Sequence, residues 1–163
     1  MRVLVVAASK YGATDEIADA IARVLTDRGL MTVVKKPDEV DSIDAYGAVV
    51  LGSAVYAGHW MDPAKELVGR FRTSLAERPV WLFSSGPIGD PPKPQEDPID
   101  VSDIAEVTHA RDHHVFAGRL SKDKLNPGDR AIARAFGAAD GDFRDWDEIQ
   151  RWTAQIADAL SGG

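Results

Sequence analysis

The sequence contains no cysteine among its 163 residues. This absence excludes disulfide scaffolds, thiolate nucleophiles, CxxC redox pairs and every cysteine-ligated metal. Any redox chemistry therefore needs an organic cofactor or a metal held by histidine and carboxylate groups. Long hydrophobic runs are also missing, because no stretch approaches the ~20 apolar residues of a membrane span. The N-terminus lacks the apolar region and cleavage site of a signal peptide. We therefore expect a cytoplasmic protein without an integral membrane segment.

Basic residues are outnumbered, with 19 Lys and Arg against 26 Asp and Glu and a formal net charge of −7. Such a balance disfavours nonspecific binding to nucleic acid or anionic lipid and suits a partner with a basic docking face. The chain is 44% hydrophobic and 28% charged, which excludes disorder over its whole length. At ~150 residues per domain, we predict a single domain over residues 1–163.

Five segments have the apolar, β-branched or aromatic character of buried strands. They are residues 2–8, 31–36, 48–55, 80–85 and 115–120. Amphipathic spacing predicts helices between them: after Thr14, from an N-cap at Asp62, weakly over residues 101–110, and after a capping box at Asp145 and Glu148. Residues 86–98 contain five prolines and are predicted to form a stiff loop. Residues 121–142 look irregular, with a short helix near residues 130–136.

Apolar strands that alternate with amphipathic helices indicate βαβ units and a parallel sheet covered on both faces. We predict an α/β fold, a doubly wound five-stranded parallel sheet of order 2-1-3-4-5 with helices on both faces. Sheets of this kind bind ligands beyond the carboxyl ends of their strands, beside strand 1. The loops after strands 1, 3 and 4 are therefore the candidate binding loops.

The loop after strand 1 has the composition of a phosphate-binding turn. It comprises Ser9, Lys10, Tyr11, Gly12, Ala13 and Thr14. Free backbone N–H groups at a helix start favour a phosphate, and Gly12 lets the backbone approach it closely. The alternative is an ordinary turn with Thr14 as the N-cap. The loop matches neither the Walker pattern nor the dinucleotide Gly-x-Gly-x-x-Gly pattern, which disfavours triphosphates and dinucleotides.

The loops after strands 3 and 4 are candidates for holding a planar ring. The residues involved are Ser53, Ala54, Val55 and Tyr56 after strand 3, and Ser84, Ser85 and Gly86 after strand 4. Small residues leave a gap at the strand end, and Tyr56 or Trp60 is suited to cover a ring by stacking. Otherwise Trp60 packs on the following helix, His59 is a solvated loop residue, and the strand-4 loop is an ordinary turn.

Other features carry less functional signal. His113 and His114 are adjacent on a strand and point to opposite faces, which is poor geometry for a metal site. Trp146 and Trp152 are interpreted as packing residues of the last helix. A local basic patch is either a solvated face or an attractor for an anion; it consists of Arg119, Lys122, Lys124, Arg130 and Arg134.

The pattern Ser9-x-x-Gly12-x-Thr14 resembles the FMN phosphate signature of the flavodoxin family, T/S-x-T-G-x-T, with Tyr11 where a threonine is usual. This resemblance covers the whole chain. It implies a flavodoxin-like fold that binds FMN, with the phosphate on residues 9–14 and the isoalloxazine ring between the loops that begin at Ser53 and Ser84. FMN moves one or two electrons, while the protein supplies orientation and electrostatics.

A second resemblance is to the flavodoxin-domain branch that contains menaquinone-dependent protoporphyrinogen dehydrogenase. It is carried by residues 49–52, Gly58-His59, residues 115–118 and residues 145–149. It implies an FMN-dependent oxidoreductase with a redox partner protein or quinone, and an anionic small molecule as its substrate. The sequence assigns no catalytic acid or base, electron donor, electron acceptor or oligomeric state.

Two other functions remain open on the sequence alone. One is a flavodoxin-type electron carrier, which has no substrate of its own and docks a reductase through its acidic face. The other is a flavin-free module of the same fold that serves interaction or regulation. The colour of the purified protein would separate the flavin-free module from the other two.

Overall fold

The computed structural model describes residues 1–56, 58–86, 100–117, 119–120, 127–128, 130–131, 141–142 and 144–162. Most of the proline-rich loop, and Lys122, Lys124 and Arg134 of the basic patch, lie outside these residues. Residues 127–128 and 130–131 are helical, but the rest of the short helix predicted at residues 130–136 also lies outside.

A parallel sheet forms the centre of the molecule. Its strands are β1 (Arg2–Ala8), β2 (Met31–Lys35), β3 (Ala48–Tyr56), β5 (Val80–Ser85) and β6 (Asp112–Phe116), and β4 (His59–Trp60) pairs antiparallel with β3. The strand order is β2-β1-β3-β5-β6. Counted over the five parallel strands, this is the predicted order 2-1-3-4-5, and the predicted fold class is confirmed.

Helices cover both faces of the sheet. They are α1 (Ala13–Asp27), α2 (Asp62–Arg70), α3 (Arg72–Ala76), α4 (Val101–Thr108) and α5 (Trp146–Ser161), with a short 3₁₀ turn at Pro37–Glu39. The apolar stripes of α1 and α5 pack on one face and those of α2, α3 and α4 on the other. Among the described residues, no helix combines the length and apolar character needed to cross a membrane.

Burial on both faces explains why the central strands are apolar throughout. Along β1, Leu4 and Val6 point into the core beneath α2, whereas Val3 and Val5 point into the core beneath α1. All four side chains are fully buried. A strand covered on one face only would alternate apolar and polar residues instead.

The last parallel strand lies earlier in the chain than predicted. β6 covers Asp112–Phe116 rather than residues 115–120, and it includes both histidines. The shift is possible because β6 is an edge strand, whose polar side chains remain partly exposed. Residues 119–120 form a separate strand, β7 (Arg119–Leu120), which pairs antiparallel with β8 (Gly141–Asp142).

Two helix starts differ from the predicted ones by a residue or two. Helix α1 begins at Ala13 with Gly12 as its N-cap, so Thr14 lies inside the first turn and is not the cap. Helix α2 begins at Asp62 itself, with Met61 as the cap. In both cases backbone conformation decides the boundary: Gly12 is left-handed (φ 86°) and Met61 is extended (φ −67°, ψ 145°).

The start of α5 combines a confirmed prediction with a correction. The Asp145 carboxylate accepts a hydrogen bond from the Glu148 N–H at 3.1 Å, as the predicted cap requires. Trp152 is 3% exposed and belongs to the core. Trp146, predicted to face inward, is 40% exposed, and the Arg144 guanidinium lies 4.6 Å from its ring centroid. As the first residue of the helix, Trp146 precedes the turn that contacts the sheet.

Candidate functional site

The sheet register brings the three candidate loops to one edge. Ala8 pairs with Ser53, and Ser53 pairs with Ser84, so the carboxyl ends of β1, β3 and β5 lie side by side. Ser85 pairs in turn with Phe116 on β6. Neighbouring strands are ~4.8 Å apart, so the three loops are close enough to contact a single ligand.

The loop after β1 forms a tight turn into α1. The Ser9 hydroxyl oxygen accepts a hydrogen bond from the Gly12 N–H at 3.1 Å, which leaves the hydroxyl proton available to another acceptor. Gly12 adopts φ 86°, a left-handed conformation that glycine accepts without steric cost. Nothing lies within 4 Å of the position that a Cβ at Gly12 would occupy. The turn therefore leaves open space in front of the helix end.

The first turn of α1 presents unused donors to that space. The leading N–H groups of a helix have no carbonyl partner within it, and Gly12 has no side chain with which to cap them. Thr14 is 2% exposed, and the described part of the chain gives its hydroxyl no hydrogen-bond partner. No side-chain polar atom among the described residues is both fully buried and unpaired, so this hydroxyl reaches solvent at the loop. Backbone amides, two hydroxyls and the positive helix end are a donor set that fits a phosphate.

Lys10 and Tyr11 form the outer part of the turn. The Lys10 Nζ lies 5.6 Å from the centroid of the Tyr11 ring, a cation–π distance. Lys10 is exposed and Tyr11 is half-buried. Ala13 is the first helical residue, and its carbonyl oxygen accepts from Arg144 Nη1 at 3.4 Å. The structure thus places all six predicted residues of this loop at the start of α1.

Ser53 and Ser84 are buried beneath their loops. Both are 0% exposed. The Ser53 hydroxyl donates to the Ala54 carbonyl at 2.8 Å and accepts from the Met61 N–H at 2.9 Å. The Ser84 oxygen accepts from Trp60 Nε1 at 2.8 Å and lies 2.8 Å from His113 Nε2. These hydroxyls therefore hold the loops in place from inside the protein.

Trp60 is not available as an exposed cover for a planar ring. It is 2% exposed and packs in the core beneath α2. Its indole N–H is used by Ser84, and its backbone N–H donates to the Asp100 carboxylate at 3.0 Å. Burial of a large aromatic with its polar atom satisfied explains this placement. Of the two aromatics predicted for stacking, Tyr56 has a described backbone only, which pairs with His59.

Asp100 connects the β3 loop to the start of α4, a role the sequence did not reveal. Besides Trp60, its carboxylate lies 3.2 Å from His59 Nδ1 and 3.8 Å from Lys65 Nζ. His59 is therefore a partner of Asp100 rather than a solvated loop residue, although 45% of its side chain is exposed. A carboxylate 40 residues from Trp60 and 41 from His59 gives no local signal in the sequence.

The remaining predicted residues line the same edge. Ala54 and Val55 are 8% and 5% exposed, and Ser85 is 4% exposed. Gly86 has φ 74°, and its N–H donates to the Phe116 carbonyl at 3.0 Å. Gly86 therefore lies directly beside the end of β6.

The two histidines of β6 have separate partners, as the predicted opposite orientation requires. His113 contacts Ser84, whereas His114 Nε2 lies 2.7 Å from the Glu148 carboxylate on α5. The residues that the structure describes contain no cluster of His, Asp and Glu suited to a metal ion.

A charged network, which we call the Arg144 network, stands beside the N-terminus of α1. It consists of Glu16, Arg119, Asp142 and Arg144. Arg144 binds the Asp142 carboxylate through Nε at 2.8 Å and Nη2 at 2.6 Å, and contacts Glu16 through Nη1 at 3.2 Å. Arg119 reaches the same Glu16 oxygen at 3.1 Å. The Arg144 side chain is only 4% exposed.

The pKa directions follow from these contacts. Side-chain hydrogen bonds from Arg144 lower the pKa of Asp142, and the same bonds raise the pKa of Arg144. Partial burial raises the pKa of Asp15 in the first turn of α1, an effect that Lys36 partly opposes and that Asp19 and Glu16 reinforce. The acidic residues of this turn thus differ: Glu16 has two arginine partners, while Asp15 is disfavoured as an anion.

Comparison with known proteins places this arrangement in a family. A family model of the flavodoxin domain matches residues 4–146. No curated protein matches the sequence.

Solved structures of low sequence identity share the fold. A flavodoxin from the domain Archaea has 18% identity and a TM-score of 0.66, with 99% of each chain covered. A flavodoxin from Streptococcus pneumonia TIGR4 has 22% identity and a TM-score of 0.62, again with 99% of each chain covered. The chain also matches 36% of a rubredoxin oxygen:oxidoreductase from Desulfovibrio gigas, with 14% identity and a TM-score of 0.65. By the family model, the chain belongs to the flavodoxin-domain family.

Proposed function

We propose that this protein binds FMN noncovalently and transfers electrons through it. The observation that carries the proposal is the turn after β1, where the amides at the α1 start and the Ser9 and Thr14 hydroxyls flank Gly12, whose Cβ position has open space around it. A terminal phosphate matches that donor set better than an uncharged group does. Membership of the flavodoxin-domain family gives independent support.

The chain's own residues would bind and orient the cofactor. Ser9, Thr14 and the leading amides of α1 would donate to the phosphate. The loops that follow Ser53 and Ser84 would hold the ring through their backbone groups, since the two serine hydroxyls already hold the loops. Bound FMN would supply one- or two-electron chemistry at its ring nitrogens.

A direct test compares FMN with riboflavin, which lacks the phosphate. The absorbance spectrum of the purified protein is recorded before and after FMN is added, and calorimetry measures both affinities. We expect riboflavin to bind much more weakly than FMN. Equal affinities for FMN and riboflavin would contradict a phosphate site in the turn after β1. A protein that binds neither flavin would favour the flavin-free interaction module.

Gly12→Val locates the site, and Gly29→Val is its matched control. Both glycines have a left-handed backbone, with φ 86° and 89°, and neither has an atom within 4 Å of a would-be Cβ. The backbone strain is therefore similar, but only Gly12 stands at the start of α1. We expect Gly12→Val to lose FMN and Gly29→Val to retain it. If Gly12→Val retains the wild-type flavin content, the phosphate binds elsewhere.

The more specific proposal is an FMN-dependent oxidoreductase similar to protoporphyrinogen dehydrogenase, passing electrons to a quinone or a redox protein. The basic patch supports it, because a cationic segment after β6 would attract an anionic porphyrin. Arg119 of this patch is already paired with Glu16, and Arg130 also has a partner, so the attraction would come from Lys122, Lys124 and Arg134. Charge reversal at Lys122 and Lys124 should then raise KM more than it lowers kcat, and turnover should fall with ionic strength.

The second candidate is an electron carrier without a substrate of its own. It is supported by the likeness to two flavodoxin structures, in which the match covers 99% of each chain. The net charge of −7 also supports it, because an acidic surface suits a basic docking partner. The deciding assay follows the flavin oxidation state with protoporphyrinogen as the sole reductant and no electron acceptor present, because a quinone would reoxidise the reduced flavin. Reduction supports the enzyme, and no reduction at any salt concentration supports the carrier.

A further inference from the structure

The first turn of α1 poses an electrostatic problem for the proposed phosphate site. Asp15 and Glu16 both lie within this turn. Single acids are favourable at a helix N-terminus, because its partial charge is positive. A phosphate bound at the same end, however, would be repelled by each carboxylate that keeps its charge. Any side chain that neutralises Glu16 therefore affects phosphate binding directly.

Arg144 and Arg119 provide that neutralisation. Their guanidinium groups lie 3.2 Å and 3.1 Å from the same Glu16 oxygen. The two arginines also belong to a single structural unit, since Arg119 on β7 pairs with Asp142 on β8. Asp142 in turn holds Arg144 by two hydrogen bonds. The pairing of β7 with β8 therefore places the guanidinium groups of Arg119 and Arg144 together beside α1.

Arg144 is the central member of this unit. Its side chain is 4% exposed and is fixed on three sides: by Asp142, by the ring of Trp146 at 4.6 Å, and by Glu16 with the Ala13 carbonyl. Ala13 is the first residue of α1. A buried bidentate arginine holds its partners in a more defined geometry than an exposed pair does.

We propose that Arg144 is a positioning residue for the FMN phosphate, which neutralises Glu16 and fixes the first turn of α1 against the β7–β8 pair. This inference rests on the proposed FMN site and goes beyond it by assigning a role to residues outside the three binding loops.

The test measures FMN and riboflavin affinities by flavin fluorescence for four variants. Arg144→Ala should weaken FMN binding about tenfold, because Glu16 would then repel the phosphate with only Arg119 to offset its charge, and it should change riboflavin binding less than about threefold. Glu16→Gln should strengthen FMN binding about threefold. The double variant Arg144→Ala/Glu16→Gln should recover most of the lost FMN affinity. Arg72→Ala removes an exposed arginine from α3, on the opposite face of the sheet, and should change neither affinity.

The outcomes separate the two proposals. Equal weakening of FMN and riboflavin by Arg144→Ala, or no recovery in the double variant, would overturn the role of Arg144 while leaving FMN binding intact. A wild-type protein that binds no flavin would contradict the proposed function and this inference with it. If Arg144→Ala fails to fold, Glu16→Gln decides, because an unchanged or weaker FMN affinity in that variant contradicts the neutralisation.

Discussion

Thr14 is a residue for which the sequence left two roles open. It was either a phosphate contact or a helix N-cap, and the structure excludes the cap, because Gly12 caps α1 and Thr14 lies one residue inside the helix. Thr14 is 2% exposed, and its hydroxyl has no partner in the part of the chain that the structure describes. Because no side-chain polar atom of the described residues is both fully buried and unpaired, the Thr14 hydroxyl still reaches solvent. It is therefore available to a ligand, and at the start of α1 the acceptor that we propose is the FMN phosphate.

Thr14→Val tests this interpretation with a near-isosteric change. We expect FMN affinity to fall about tenfold, as for the loss of a hydrogen bond to a charged group. Riboflavin affinity should stay unchanged. The matched control is Thr153→Val on α5, where the buried hydroxyl donates to the Ile149 carbonyl at 2.7 Å. That variant should lose stability but keep FMN affinity, and equal affinity losses in both variants would contradict a phosphate contact at Thr14.

At the scale of elements, the packing of β3 against β5 depends on Gly52. A Cβ at Gly52 would lie 2.1 Å from the Phe83 ring, which packs directly over the glycine. Phe83 is fully buried and contacts Phe116 and Trp152, so the ring cannot move aside without disturbing α5. The sequence pattern could not reveal this contact, because it joins two strands 31 residues apart.

Gly52→Ala should therefore destabilise the fold by about 1–3 kcal/mol through overpacking. Gly69→Ala makes the same chemical change in α2, where nothing lies within 4 Å of the new methyl group. It should stabilise the protein by about 0.5–1 kcal/mol, because alanine favours helix over glycine. Urea unfolding measures both variants. A stable Gly52→Ala variant would show that Phe83 has room to relocate.

For the molecule as a whole, stability should depend on pH through Asp142 and Asp15 with opposite signs. The folded-state pKa of Asp142 is lowered, so its contribution is present above its ordinary pKa and is lost as the pH falls through the lower value. The folded-state pKa of Asp15 is raised, so stability is lower while Asp15 is ionised and rises as the pH falls through that value.

Asp142→Asn should therefore lower the melting temperature at neutral pH, by about 2–4 °C for a loss near 1 kcal/mol. Asp15→Asn should raise or preserve it. The difference for Asp15→Asn should shrink as the pH falls through a value above the ordinary aspartate pKa, and the difference for Asp142→Asn as the pH falls through a value below it. Thermal unfolding as a function of pH measures this, and a difference for Asp142→Asn that does not diminish at any acidic pH would contradict an ionic origin.

The sequence by itself determined the layers of the molecule and the edge of the sheet at which the three candidate loops meet. Apolar strands that alternate with amphipathic helices have one stable arrangement, a parallel sheet covered on both faces, and its carboxyl edge is where the loops of β1, β3 and β5 meet. Only the tertiary structure decided which side chains remain available there. Ser53, Ser84 and Trp60 are consumed by internal hydrogen bonds. Asp100 and Arg144 reach the candidate site from distant positions in the chain. The sequence could not reveal these contacts, because hydrogen bonds depend on distance in space and produce no periodic pattern in the sequence.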